Sequence, residues 1–216
     1  HHDLKSVNHT QNKHKIYLIG IMLVLIFSGL LVLFSGLLDP LNNQIEQQIL
    51  LQLRLPLVLT ACLVGAALSV SSASLQVLLH NPLADPGIIG ITSGASLCAA
   101  LFLLLGTGLS PDIIQYLLPL SCFVGAILST VLIFVVARRM AANNASVILA
   151  GIAISTISGA IIAWLHFFSD AQSMRNLTFW LMGSLHQTDW PILYFATPLL
   201  AVLIGYLIKQ GRMLNW

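Results

Sequence analysis

The chain has 216 residues, of which 57% are hydrophobic and only 7% are charged, and its formal net charge at pH 7 is +2. A soluble domain carries roughly 25% charged residues, so this composition excludes a water-soluble globular domain. The few basic residues are scattered among the predicted loops, and no nucleic-acid partner is expected.

Six stretches without Lys, Arg, Asp or Glu follow one another along the chain. A helix needs ~20 apolar residues to span the hydrocarbon core of a bilayer, and the stretches lack the apolar/polar alternation of a membrane barrel. The sequence therefore predicts an all-α, polytopic transmembrane helical bundle that forms a single domain over 1–216. The predicted spans are 16–38, 55–79, 86–111, 113–137, 140–169 and 190–208.

Basic residues predict the orientation of this bundle, because short loops rich in Lys and Arg stay in the cytoplasm. Arg54 and Arg175 fall on one predicted side, whereas the other side holds seven basic residues. Both termini are therefore expected in the cytoplasm. The seven are Lys5, Lys13, Lys15, Arg138, Arg139, Lys209 and Arg212.

Two of the loops have helical character of their own. The outer loop 39–54 is polar and then amphipathic, which favours a short interfacial helix. Residues 176–185 are apolar but too short to span, which is typical of an interfacial or re-entrant helix. Small and polar residues recur on one face of the second and fifth spans, where either close helix packing or a wet substrate path would use them. They are Gly65, Ser69, Ser72, Gln76, Gly151, Ser155, Ser158 and Gly159.

The segment from Arg54 to Gly94 holds the most specific pattern in the chain. Arg54 is predicted at the outer mouth of the second span. At the inner end of that span, Asp85 is expected to cap the third span, with Pro86 in its first helical position and Gly87 allowing close backbone approach. These glycines are not a phosphate-binding loop, because no Gly-Lys-Ser/Thr follows them.

This segment resembles the FecCD family of ABC-transporter permeases, which import siderophores, haem and cobalamin. Further similarities run in order through most of the chain, and the finer pattern around Trp180 is most similar to the cobalamin importers. The matching segments are Arg54 to Pro56, Val64 to Leu68, Gln76, Asn81 to Gly87, Gly94-Ala95, Leu149 to Gly151, Trp180 to Ser184, Asp189-Trp190 and Arg212 to Asn215.

The chain departs from the family in two respects. The second arginine of the family's Arg-Leu-Pro-Arg motif is Leu57 here. The resemblance also covers only the first six of about ten helices, so the 216 residues are expected to be the first part of such a permease, without the cytoplasmic helices that dock the ATPase.

The resemblance implies roles for residues at both ends of the second span. Arg54 would form salt bridges with carboxylates of a periplasmic binding protein, although an arginine at a helix mouth can also be a snorkelling anchor. Asn81 and Leu83, with Asn143 and Asn144 in the loop Ala142–Ala145, would form cytoplasmic gates. Asn-Pro and Asn-Asn pairs also favour ordinary turns.

No catalytic motif or mid-span acid is present in the sequence, and no cofactor or metal is expected. The resemblance implies a permease homodimer in membrane lipid, with separate ATPase subunits below it and a binding protein above it. Cobalamin is the favoured substrate, and a ferric siderophore or haem is the alternative. A secondary transporter or a non-transporting membrane scaffold stays open as an alternative of another class; mid-span carboxylates, which would support the transporter, are absent.

Overall fold

The computed structural model describes residues 2–141, 143–186 and 188–214, and it gives side chains for 11–141, 143–186 and 188–211. Every regular element within these residues is helical, and the predicted all-α class is confirmed. Ala142 of the predicted gate loop and Asn215 of the C-terminal motif lie outside the described residues. The elements are α1 His2–Phe34, α2 Gln44–Gln48, a π-helix Ile49–Arg54 (the π-turn), α3 Leu55–Leu79, α4 Pro86–Ile89, α5 Ile91–Leu105, α6 Pro111–Arg139, α7 Asn144–Phe168, α8 Ala171–Met182 and α9 Trp190–Leu214.

Five helical segments in the described part of the chain are long and apolar enough to cross a membrane. They correspond to five of the six predicted spans, with ends that differ from the predicted ends by up to a few residues in most cases. The segments are Gln11–Phe34, Gln44–Leu79, Pro111–Arg139, Asn144–Phe168 and Trp190–Gly211.

The remaining predicted span, 86–111, is divided into the short helix α4 and the 15-residue helix α5. The division falls at Gly90, whose φ of 97° lies in the left-handed region. A Cβ added to Gly90 would meet the Gly151 carbonyl oxygen at 2.7 Å. Glycine is therefore required here both by the backbone conformation and by the neighbouring helix.

The chain divides into two compact units, each with its own contacts. Within the described residues, the first consists of the chain up to Val64 with Leu185–Leu199, and the second of Gly65–Ser184 with the chain from Leu200 onward. In the second unit α5, α6 and α7 pack against one another. Its buried apolar core is formed by Leu79, Ala84, Ile89, Ile133, Ala137, Val147 and Ala150.

Hydroxyl groups join the helices of this second unit where small residues let them approach. The Ser129 hydroxyl is buried and donates to the Gly90 carbonyl oxygen at 2.9 Å. The hydroxyls of Ser93 and Ser155 lie 3.0 Å apart, between α5 and α7. Such bonds satisfy polar groups that have no water to bind in a membrane.

Helix α8 covers most of the segment for which the sequence predicted an interfacial or re-entrant helix. It begins five residues earlier than predicted, because the Asp170 carboxylate caps it by accepting from the Ser173 amide at 3.4 Å. Its Leu177 is fully buried, while Phe179 and Met182 are exposed. The helix therefore has one packed side and one apolar side left open.

Candidate functional site

Arg54 is the last residue of the π-turn, directly before α3. Its Nη1 donates to the carbonyl oxygen of Val32 at 2.8 Å and lies 3.5 Å from that of Leu33. Both carbonyls belong to the last turn of α1. The guanidinium therefore binds the C-terminal end of the first helix, where a positive charge also complements the helix dipole.

This contact completes the hydrogen bonding of α1, whose last four carbonyls have no partner within the helix. The Leu31 carbonyl accepts from the Ser35 amide at 2.9 Å, and the Phe34 carbonyl accepts from the Leu37 amide at 3.2 Å. Arg54 supplies a donor to the two carbonyls between them, those of Val32 and Leu33. Arg54, for which the resemblance implied docking, is thus part of a helix end.

Arg54 lines a groove of about 800 Å³ in the first unit. The wall is apolar except for Arg54, Ser35 and His186, and Leu57 belongs to it. Leu57 stands where the family pattern has its second arginine, so the groove has an apolar wall at that position. The residues of the groove are Leu31, Val32, Ser35, Ile49, Leu53, Arg54, Leu57 and His186.

At the other end of α3 lies the Asn-Pro turn, residues 80–85. His80 has a φ of 50°. Its amide bonds to the Val77 carbonyl at 3.4 Å, and the Asn81 amide bonds to the Gln76 carbonyl at 3.1 Å. This pair of bonds is a Schellman motif with His80 in the left-handed position.

Asn81 organises the rest of the Asn-Pro turn. Its side-chain oxygen accepts from the Leu83 amide at 2.9 Å, and its carbonyl accepts from the Ala84 amide at 3.2 Å. Ala84 is buried in the core, whereas Leu83 is 75% exposed. The turn therefore presents one large apolar side chain outward from a fixed backbone.

The exit of the turn begins α4. The Asp85 carboxylate accepts from the Ile88 amide at 2.8 Å, and Pro86 occupies the first helical turn. A Cβ on Gly87 would approach the Asp85 carboxylate to 3.0 Å. These three residues end the turn at a defined point, so Asn81 and Leu83 are held between two capped helices.

Asn143 and Asn144 lie beside the Asn-Pro turn. Asn143 caps α7, since its side-chain oxygen accepts from the Ser146 amide at 2.8 Å and from the Ser146 hydroxyl at 2.9 Å. The Asn144 amide nitrogen lies 3.5 Å from Nδ1 of His80. The structure thus brings together the two loops to which the sequence assigned gates.

His80 is the residue of this contact that sequence reasoning missed. The sequence does hold a signal for it, because His80 directly precedes Asn81-Pro82, which stops the helix. The residue that follows the last helical residue often adopts the left-handed conformation. A cavity of about 340 Å³ lies next to this contact, between the end of α3, the end of α6 and the start of α7. Its lining residues are Leu78, Leu79, Phe134, Ala137, Arg138, Asn143, Asn144 and Val147.

The described residues include no cluster of three or more His, Cys, Asp or Glu that could hold a metal ion. Cys62, Cys98 and Cys122 are free thiols. The two regions consist of a cation at a helix mouth and of a capped pair of loops in contact with each other.

Comparison with known proteins identifies the class of this membrane protein. The chain belongs to the FecCD transport family, which it matches over residues 16–216. It is 39% identical over 182 residues to the hemin transport system permease protein HmuU of Yersinia pestis, a match that covers 84% of the chain and 54% of the relative. It is 36% identical over 214 residues to the vitamin B12 import system permease protein BtuC of Vibrio vulnificus, covering 97% of the chain and 63% of the relative.

A solved structure shares the fold. It is an inward-facing conformation of a metal-chelate type ABC transporter, with a TM-score of 0.79 and 30% sequence identity, and the match covers 93% of this chain and 64% of that one. The chain thus spans between about half and about two thirds of the length of these relatives.

Proposed function

We propose that the chain is the transmembrane permease part of a bacterial ABC importer that depends on a binding protein. The observation that carries this proposal is the family match over residues 16–216 together with the shared fold at a TM-score of 0.79. ATP hydrolysis belongs to a separate ATPase subunit. The permease functions as a homodimer in the bacterial inner membrane, with both termini cytoplasmic.

The favoured substrate is cobalamin, and haem or a ferric siderophore is the second candidate. Relatives named for vitamin B12 and for hemin are similarly close, at 36% and 39% identity. The pattern around Trp180 supports the first. Each candidate is a large metal complex whose recognition falls mainly to the binding protein, and this fits the apolar character of the helices.

The two loops at the Asn-Pro turn form the cytoplasmic gate in this proposal. Asn81 fixes the turn, Leu83 closes the path, and Asn143 and Asn144 form the facing loop. The contact of His80 with Asn144 and the outward position of Leu83 support this assignment.

Arg54 docks the binding protein in addition to its bond with α1. A guanidinium has five N–H donors, and the bonds to Val32 and Leu33 use one of its nitrogens. The other donors are suited to a carboxylate of the partner.

Uptake in the native host tests the proposed function. The reading frame that contains this chain is deleted, and accumulation of labelled cobalamin, haem and a ferric siderophore is measured with and without the restored gene. We expect loss of cobalamin uptake alone, and restored uptake that disappears when the partner ATPase cannot bind ATP. Loss of haem or siderophore uptake instead would show that this compound, and not cobalamin, is the substrate. Uptake that survives ATPase inactivation but stops with an ionophore would indicate a secondary transporter, and unchanged uptake of all three would indicate a scaffold.

The docking role has its own test in the full-length protein. Arg54→Glu should weaken association with the binding protein by about tenfold or more at low salt, and less at high salt, because it reverses a charge that steers the partner. Arg54→Gln keeps a donor for the end of α1 but removes the charge, which separates docking from folding. Arg175→Glu on α8 is the matched control. Equal effects of the Arg175 and Arg54 reversals, or unchanged affinity in Arg54→Gln, would contradict specific docking at Arg54.

A further inference from the structure

A proline leaves one carbonyl of the π-turn without a donor from its own helix. In this turn the Leu55 amide bonds to the Leu50 carbonyl, five residues back. In the same register the Leu51 carbonyl would accept from residue 56. Residue 56 is Pro56, which has no N–H. Its side chain is also fully buried.

Trp190 supplies the missing donor. Its indole Nε1 donates to the Leu51 carbonyl oxygen at 3.0 Å, across 139 positions of sequence. Trp190 is the first residue of α9, and its ring stacks on Tyr194 one turn later with a centroid distance of 6.0 Å and an interplanar angle of 28°. Stacking on Tyr194 of the same helix therefore helps to fix the orientation of the indole that binds the π-turn.

We infer that Trp190 is a positioning residue that clasps the start of α9 to the π-turn, through the carbonyl that Pro56 leaves unpaired. The bond gives the Leu51 carbonyl a donor that its own helix does not supply, so this contact is favoured over separation of the two segments. Arg54 is the last residue of the clasped turn. The consequence for docking, which rests on the proposed function, is that the clasp fixes the point at which Arg54 meets the binding protein.

A tryptophan near a helix end can also be a membrane-interface anchor without a specific partner. The two roles differ in their dependence on Pro56. An anchor would act in the same way whatever residue stands at 56, whereas the clasp is needed only while residue 56 lacks an N–H.

A double-mutant cycle separates the two roles. The four full-length proteins are the parent, Trp190→Phe, Pro56→Ala and the double variant. Phenylalanine keeps an aromatic ring to stack on Tyr194 but cannot donate, and alanine restores an amide that can bond to Leu51. The measurement is amide hydrogen exchange over residues 49–54 and 192–196 in the same detergent.

Trp190→Phe should speed this exchange about fivefold in the parent, the size expected for one hydrogen bond, and less than twofold in the Pro56→Ala background. Trp164→Phe is the control, since Trp164 lies at an exposed position on α7 against Phe168. Equal effects of Trp190→Phe in both backgrounds, or an effect no larger than that of Trp164→Phe, would overturn the clasp.

Binding-protein association of the same four proteins distinguishes the clasp from the docking proposal. Coupling in hydrogen exchange together with weaker association in Trp190→Phe supports both. Coupling with unchanged association supports the clasp but contradicts its role in positioning Arg54, while docking itself is decided by the Arg54→Glu test. Absence of coupling overturns the clasp, whatever the association shows.

Discussion

Gly151 lets two pieces of backbone meet inside the second unit. A Cβ at this position would collide with the Ile89 carbonyl oxygen and carbon, which are main-chain atoms of α4. A flexible side chain could move aside, but this carbonyl is fixed by the adjoining turn at Gly90. The glycine is therefore required for the approach of α7 to the break between α4 and α5.

Gly151→Ala should destabilise the protein, although alanine favours a helix by about 0.5–1 kcal/mol over glycine. Overpacking costs about 1–3 kcal/mol, and here the colliding atoms are backbone, so the loss should exceed the gain. Gly159→Ala is the matched control on the same helix, because nothing lies within 4 Å of its added Cβ. Thermal unfolding in one detergent should show a lower midpoint for the first variant and an unchanged or higher one for the second. A lower midpoint for both would contradict the packing argument.

Some single residues could be predicted from the sequence because their chemistry is local. Asp85 followed by Pro86 favours a helix start, and the structure places one there. The bond from Trp190 to Leu51 could not be predicted, because it joins residues 139 positions apart. The end of α1 is similar, since nothing near Arg54 in the sequence indicates that Val32 needs a donor.

At the scale of elements, the predicted helices agree with the structure where a long apolar stretch meets a clear stop. The second span was predicted as 55–79, and α3 has these ends. The third span was predicted as continuous because residues 86–111 include no Lys, Arg, Asp or Glu. At its break, Gly90 lies against Gly151 and Ser155, which only the tertiary structure brings near.

The start of α8 should depend on pH through its cap. The hydrogen bond from Ser173 lowers the pKa of the Asp170 carboxyl from its ordinary value of 3.8. Folding therefore favours the carboxylate, so the stabilisation is present above the ordinary pKa and is lost as the pH falls through the lowered one. Amide-exchange protection over residues 171–175 should decrease in that acidic range.

Asp170→Asn should keep the cap and remove this pH dependence, since an amide oxygen accepts in the same way at every pH. The first turn of α7 is an internal control, because its cap is the uncharged Asn143. The same acid-dependent loss of protection in α7, or its persistence in Asp170→Asn, would show that the cause is not the cap.

For the whole molecule, orientation rests on the seven-to-two distribution of basic residues. The structure adds a constraint that does not involve charge. Since His80 and Asn144 lie 3.5 Å apart, the Asn-Pro turn and the loop before α7 must face the same side of the membrane. The 29 residues of α6 separate the loop between α5 and α6 from the loop before α7. This length is enough for one crossing of the membrane.

This arrangement of loops and the orientation inferred from charge predict a specific labelling pattern. Single cysteines replace Leu83, Leu109 or Met140 in a full-length protein whose Cys62, Cys98 and Cys122 are changed to alanine. A membrane-impermeant maleimide should label Leu109→Cys in spheroplasts, and Leu83→Cys and Met140→Cys only in inverted vesicles. Reporter fusions at residues 110 and 140 should likewise read periplasm and cytoplasm. The reverse pattern at all three sites would overturn the orientation inferred from charge but leave the helix arrangement intact. Opposite sides for Leu83 and Met140 would contradict the arrangement itself, because two loops in contact cannot lie across a bilayer from each other.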